Sequence, residues 1–140
     1  MEFSFDHIKR TSNKLENMTN IYTYFDEYLY NTELYYLNAG MSPYSILTDP
    51  ADFFKYNETL YLYMLDGLNA TNKSILDVSC FKGAGPAIYK KHNPTAEVYG
   101  VDFIPGFIDA ARNKYKDIKF DVMEASNLKF EDNSFDIVTN

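Results

Sequence analysis

Apolar residues fall along this chain in two different rhythms, and the change comes near residue 73. Before it the spacing is helical. In "NIYTYFDEYLYNTELYYLNAG", residues 20–40, Ile21, Phe25, Tyr28, Leu29 and Tyr36 come within reach of one broad face, and Asn38 to Gly40 supplies a C-terminal stop. In "TDPADFFKYNETLYLYMLDGLN", residues 48–69, Thr48 or Asp49 is placed as N-cap and Pro50 suits the first turn. Phe53, Phe54, Leu60, Tyr61, Met64 and Leu65 form the stripe of this second helix, and Gly67 closes it. Aromatic stripes of this kind are read as core packing rather than as a ligand wall, because burial is their usual role.

From residue 73 the period shortens. "SILDV", 74–78, reads as a strand, a glycine-bearing turn follows, and "PAIYKKH" opens as a helix with Pro86 near its start. "EVYGVD", 97–102, is a second strand and "PGFIDAARNKY" a second helix; "IKFDV", 118–122, and "SFDIV", 134–138, are the third and fourth strands. Short strands alternating with helices predict an α/β fold with a Rossmann-like, doubly wound parallel sheet. Right-handed crossovers would stack the helices on its faces. The chain thus divides into an N-terminal helical region, 1–72, and an α/β domain, 73–140, that contains only the first four strands. Ligands of such sheets bind beyond the carboxyl ends of the strands, where strand order reverses. The stretches to inspect are therefore "SCFKGAG" after the first strand, Asp102 after the second and "MEAS" after the third.

Composition narrows the partners. With 46% apolar residues the 140-residue chain can build a core, and its formal charge of −7 argues against a nucleic-acid partner, which would need clustered Lys and Arg. The basic spots "KK", 90–91, and "RNKYK", 112–116, sit among acids and suit helix ends. No apolar run approaches the roughly 20 residues of a membrane span, and "MEFSFDHIKR" lacks the pattern of an export signal. A cytoplasmic protein without stable membrane insertion is expected, in line with the lone Cys80. His7 and His92 stand far apart with no Cys or carboxylate at ligand spacing, so no metal site is expected. Cys80 has no base suggested by position and is read as a small packing residue.

The turn after the first strand carries the chemistry. Gly83 and Gly85 suit a place where backbone approaches a ligand and presents N–H groups at a helix start. The nicotinamide fingerprint G-x-G-x-x-G fails, meeting Ser79, Phe81 and Ala84, so a nucleotide-binding oxidoreductase ranks third among the readings.

"ILDVSCFKGAG", 75–85, resembles the D-x-G-x-G-x-G signature of class I S-adenosylmethionine-dependent methyltransferases. "VYGVDFIPGFIDAAR" is similar to their second strand and following helix, and "EASNLKFEDNSFDIV" to their "DAENLPFPDNSFDVV" segment. The resemblance covers about residues 73–140, and it implies S-adenosyl-L-methionine as cofactor. By the same resemblance Asp77 would brace the loop near the methionine moiety, while Ser79, Cys80, Gly83 and Gly85 would form the loop, with Phe81 at its central glycine. Asp102 would hold the two ribose hydroxyls, with Phe103 beside it; two carboxylate oxygens suit that task. Helix capping is the alternative role for Asp102. Glu124 would stand near the adenine amino group, and Ala125 would offer backbone. No catalytic base is assigned.

Two departures from the family pattern stand out. Phe81 should project toward the cofactor or force the turn to reshape, at about 1–2 kcal/mol if the turn is left-handed there. The family sheet has further strands beside the fourth, so the edge at Phe135–Val138 is expected to be open to self-association or a complementing chain. The function implied is methylation of a small-molecule or lipid acceptor as part of a longer or split enzyme. The alternative is a non-catalytic, degenerate methyltransferase module that acts by binding a partner.

Overall fold

The computed structural model describes residues 13, 16–20 and 52–140. Contacts divide the chain into two compact units, Met1–Leu34 and Tyr35–Asn140. In the first, residues 16–20 are helical and the Asn13 side chain accepts a hydrogen bond from the Glu16 N–H at 3.2 Å, capping that turn. The expected helix over 20–40 lies outside the described residues from 21 onward, as do the proposed caps Thr48 and Asp49.

The second unit is a four-stranded parallel sheet with helices against it. Helix α1 spans Asp52–Met64, β1 Ser74–Val78, α2 Ala84–His92, β2 Glu97–Asp102, α3 Pro105–Lys114, β3 Lys119–Val122 and β4 Ile137–Thr139. The sheet order is β3-β2-β1-β4, every pair parallel. Strands β1 and β2 match the apolar pattern residue for residue; α2 starts two residues earlier than "PAIYKKH", within the turn. Helix α1 ends as Gly67 enters the left-handed region, at φ 75°.

The two sheet faces are covered differently. Ile75, Val98 and Phe120 pack with Tyr89 of α2 and with Ile108 and Ala111 of α3. Leu76, Val78 and Val101 point the other way, against Met123, Leu128, Phe130 and Phe135 of the β3–β4 connection. Tyr99, Phe130 and Phe135 form an edge-to-face trio there, with ring centroids 4.8 to 6.1 Å apart. Thus the connections after β1 and β2 cover one face and the connection after β3 crosses to the other, which puts the switch of strand order between β1 and β4.

β4 differs from its expected form. The strand begins at Ile137, three residues later than "SFDIV" suggests. Phe135 is drawn into the aromatic trio instead of the ladder, and Asp136 serves as a clamp. Its carboxylate accepts bonds from the Ser74 N–H and hydroxyl, both at 2.9 Å, and from the Lys73 ammonium at 2.8 Å. These bonds fix the register of β4 on β1.

The sheet's two edges are unlike. On β3, Arg112 donates two bonds to the Phe120 carbonyl, at 2.9 and 2.6 Å, and pairs with Asp121 at 2.9 Å. On β4, Val138 is 60% exposed, and no strand among the described residues pairs with its outer side. Among the described residues no helix is long and apolar enough to cross a membrane.

Candidate functional site

The carboxyl ends of β1 and β2 are tied together by one acid. Asp102, the last residue of β2, is only 6% exposed; one carboxylate oxygen accepts the Phe81 N–H at 3.0 Å and the other the Ile104 N–H at 3.0 Å. Burial raises its pKa above the usual carboxylate range, opposed by the backbone N–H groups of Ile104, Phe81 and Phe103. The bond to Ile104 meets the residue that caps α3, yet α3 has no side-chain cap of its own. Asp102 is therefore a brace between the two post-strand loops, its carboxylate facing the backbone N–H groups of both.

The β1–α2 loop is left-handed at alternate residues: Ser79 at φ 63°, Phe81 at φ 52° and Gly83 at φ 84°. Only the third is the glycine that such a conformation favours. At Gly83 a side chain would also strike the Phe120 ring, 2.8 Å from an added Cβ. Cys80 sits between the left-handed residues, its N–H donating to the Val101 carbonyl at 2.9 Å and its thiol buried. Burial pushes that thiol's pKa far up, reinforced by the charges of Asp77 and Asp102, so Cys80 is a poor nucleophile.

Phe81 corrects the expectation drawn from its position. Its ring is buried and meets Phe107 of α3 edge-on, centroids 4.4 Å apart. The turn has taken the left-handed shape with a phenylalanine in the glycine's place, and the side chain has found a hydrophobic seat. Lys82, also buried, brings its ammonium 5.4 Å from the same ring.

Asp77 lies deeper. It is 4% exposed; one carboxylate oxygen accepts the Thr139 hydroxyl at 2.7 Å, and the other is 2.7 Å from where a Cβ on Gly85 would stand. Burial lifts its pKa to about 6, the Thr139 bond working against the rise and the Asp102 charge adding to it. Gly85 is thus required by close packing, with the Tyr61 ring of α1 on the same spot. β3 joins through Met123, whose N–H donates to the Asp102 carbonyl at 3.0 Å.

Of the residues singled out in the sequence, Asp77, Ser79, Cys80, Phe81, Gly83, Gly85 and Asp102 come together at the carboxyl ends of β1 and β2, with Phe103 half-buried next to them. Glu124 and Ala125 follow Met123 at the end of β3 but are exposed, and the Glu124 carboxylate turns to the Ser126 hydroxyl at 2.7 Å. Thr139 and Phe107 were not anticipated. Thr139 could have been found from register, since it is the β4 partner of Asp77. Phe107 carries no signal beyond its place in an apolar stripe. Among the described residues no group of three or more His, Cys, Asp or Glu side chains could hold a metal ion.

Comparison with known proteins agrees with this geometry. Residues 76–140 match the sequence profile of a family described as "Methyltransferase domain". Demethylmenaquinone methyltransferase of Staphylococcus aureus is 40% identical over 68 residues, which cover 46% of this chain and 28% of that protein. The chain therefore spans little more than a quarter of the length of these curated relatives. Among solved structures, the [4+2]-cyclase SpnF superposes with a TM-score of 0.68 at 17% identity, covering 86% of this chain and 47% of SpnF. Geranyl diphosphate C-methyltransferase from Streptomyces coelicolor A3(2), in complex with Mg2+, geranyl diphosphate and S-adenosyl-L-homocysteine, gives 0.60 at 18% identity, covering 79% and 49%. At such identities the superpositions speak for the fold alone. The sequence match and the strand order point the same way: residues 76–140 carry the sequence pattern of a methyltransferase domain on a four-stranded parallel sheet.

Proposed function

We propose that this chain contributes the S-adenosylmethionine-binding half of an enzyme that methylates a small-molecule or lipid acceptor, the other half coming from a longer protein or a complementing chain. The observation that carries the proposal is Asp102: a buried carboxylate at the end of β2, whose two oxygens tie the loop after β1 to the loop after β2. In this reading the two ribose hydroxyls also donate to this carboxylate. Ser79, Cys80, Phe81, Gly83 and Gly85 shape the loop, Phe81 through its backbone and not its ring. Asp77 supports the loop from below, Phe103 borders the ribose, and Glu124 and Ala125 meet the adenine.

The bound cofactor would supply an electrophilic methyl group on a sulfonium sulfur. The chain's own task is to orient that group, since proximity and alignment supply much of the rate in such a transfer. No side chain described here is assigned as base. A small-molecule acceptor is favoured by the relatives, whose names specify demethylmenaquinone and geranyl diphosphate as what those proteins act on. A second reading, a non-catalytic module that binds a partner, is supported by Phe81 at the central glycine and by the outer side of β4, with which no described strand pairs. A cytoplasmic location accords with both.

Calorimetric titration of the full chain with S-adenosylmethionine and S-adenosylhomocysteine tests the first reading. Saturable binding of either is the expected result. A folded chain that binds neither overturns it in favour of the second.

A further inference from the structure

We propose that Thr139 is a positioning residue, whose hydroxyl holds the Asp77 carboxylate across the crevice between β1 and β4 and so fixes the root of the cofactor loop. This rests on the cofactor-binding reading above and adds to it a residue that lies outside the signature turn.

The placement follows from the sheet. Asp77 and Thr139 are register partners on adjacent parallel strands, so their side chains leave the same face side by side. The Thr139 hydroxyl stands 2.7 Å from the Asp77 carboxylate and 3.3 Å from the Leu76 carbonyl. A hydroxyl has one proton to give, and the shorter, charge-assisted contact takes it. Both side chains are buried, Asp77 at 4% and Thr139 at 6% exposure.

What surrounds Asp77 makes this one donor important. Asp102 faces it from the end of β2 with a second carboxylate, while the Cys80 thiol from the loop and the Tyr89 hydroxyl from α2, which also meets Thr139, are kept protonated by burial. The Tyr61 ring of α1 and the backbone of Gly85 close the remaining side. Among the described residues Thr139 is the hydrogen-bond donor that meets this carboxylate. Without it this buried carboxylate would lose the 2.7 Å bond that opposes its burial and the Asp102 charge, and would take up a proton or turn away. Asp77 lies two residues before Ser79, where the β1–α2 loop first turns left-handed, so movement of its carboxylate is transmitted to the loop through very little chain.

Valine matches threonine in shape and lacks the donor; serine keeps the donor. The full chain, labelled with 13C at carboxyl carbons, is titrated by NMR as wild type, Thr139→Val, Thr139→Ala and Thr139→Ser, and the same four proteins are titrated with S-adenosylhomocysteine by calorimetry. Thr139→Val and Thr139→Ala should move the Asp77 midpoint up by about one pH unit, and Thr139→Ser should leave it near wild type. Affinity should fall about tenfold in the first two and stay within about twofold in the serine variant. An Asp77 midpoint that is unmoved by Thr139→Val, or by Thr139→Ala if the valine variant does not fold, overturns the proposal. So does a moved midpoint with unchanged affinity. If the wild type binds no S-adenosylhomocysteine, the cofactor-binding reading falls separately, and the proposal falls with it as a statement about a cofactor loop.

Discussion

The ring of Phe81 stands edge-on to the ring of Phe107 with centroids 4.4 Å apart, so a residue in a glycine's position joins the β1–α2 loop to α3. Truncating it opens a cavity, for which about 3–5 kcal/mol is the usual cost of Phe→Ala. Phe81→Gly loses the same ring but relieves a left-handed residue with φ 52°, and should be about 1–2 kcal/mol more stable than Phe81→Ala. Urea unfolding of the three proteins measures both differences. A glycine variant as stable as the wild type would mean that the ring contributes no more than the strain it brings, about 1–2 kcal/mol.

Asp102→Asn should weaken cofactor binding by about 1.5–3 kcal/mol, since it removes a charged acceptor. Asp109→Asn is the control, an exposed acid on α3 that only approaches Arg112 at 3.8 Å. Because Asp102 also braces Phe81 and Ile104, its variant should lose melting temperature as well. Equal, small effects on affinity from both substitutions would leave Asp102 a purely structural brace.

Asp77 makes stability depend on pH in an unusual direction. Its pKa is about 6 in the folded chain against 3.8 for the free side chain, so between those values the native state binds more protons than the unfolded state. Its contribution is fully present below about 4 and is lost as pH rises through about 6, by up to about 3 kcal/mol. Asp136 runs the other way: Lys73 and Ser74 hold its pKa near 2, so its contribution is present above the usual carboxylate range and disappears as pH falls through about 2. Denaturant unfolding at pH 5 and pH 7.5 should show the Asp77 loss in the wild type and not in Asp77→Asn. The same drop in both proteins would assign it to other groups.

The exposed side of β4 should draw chains together. Among the described residues no strand pairs with that side, and an apolar strand with unpaired backbone groups is a template for pairing, whereas on β3 Arg112 already occupies the Phe120 carbonyl. Light scattering should report self-association of residues 1–140, reduced by Val138→Lys, which sets a charge on that edge. A monomer with strong amide protection at Ile137 and Val138 would show that the edge is covered.

How far the sequence disclosed this molecule depends on which force set each feature. β1 and β2 are buried strands whose apolar residues can be read directly, and they were located to the residue. β4 was not, because Phe135 looks like a strand residue and instead completes a trio with Tyr99 and Phe130, partners that tertiary packing alone brings near. Asp77, Gly83, Gly85 and Asp102 could be picked out because their places at or just beyond the carboxyl ends of the strands are fixed by topology. The direction of the Phe81 ring depended on a backbone angle and on Phe107, and the role of Thr139 on strand register. Neither is carried by local pattern.

The bonds from Asp136 to Ser74 and Lys73 join residues 62 and 63 positions apart, and this gives the sheet an order of assembly. Closing so long a loop costs several kcal/mol of chain entropy before any contact repays it, whereas β1, α2 and β2 follow one another within 29 residues, Ser74 to Asp102. The short-range half should form first and β4 should arrive late, on a surface already built. Pulse-labelled exchange during refolding would then find Val78 and Val101 protected before Val138, and the reverse order would contradict it. Since Thr139 rides on β4, Asp77 would acquire its hydroxyl partner only at that final step, making the acid's proton affinity a clock for the completion of folding.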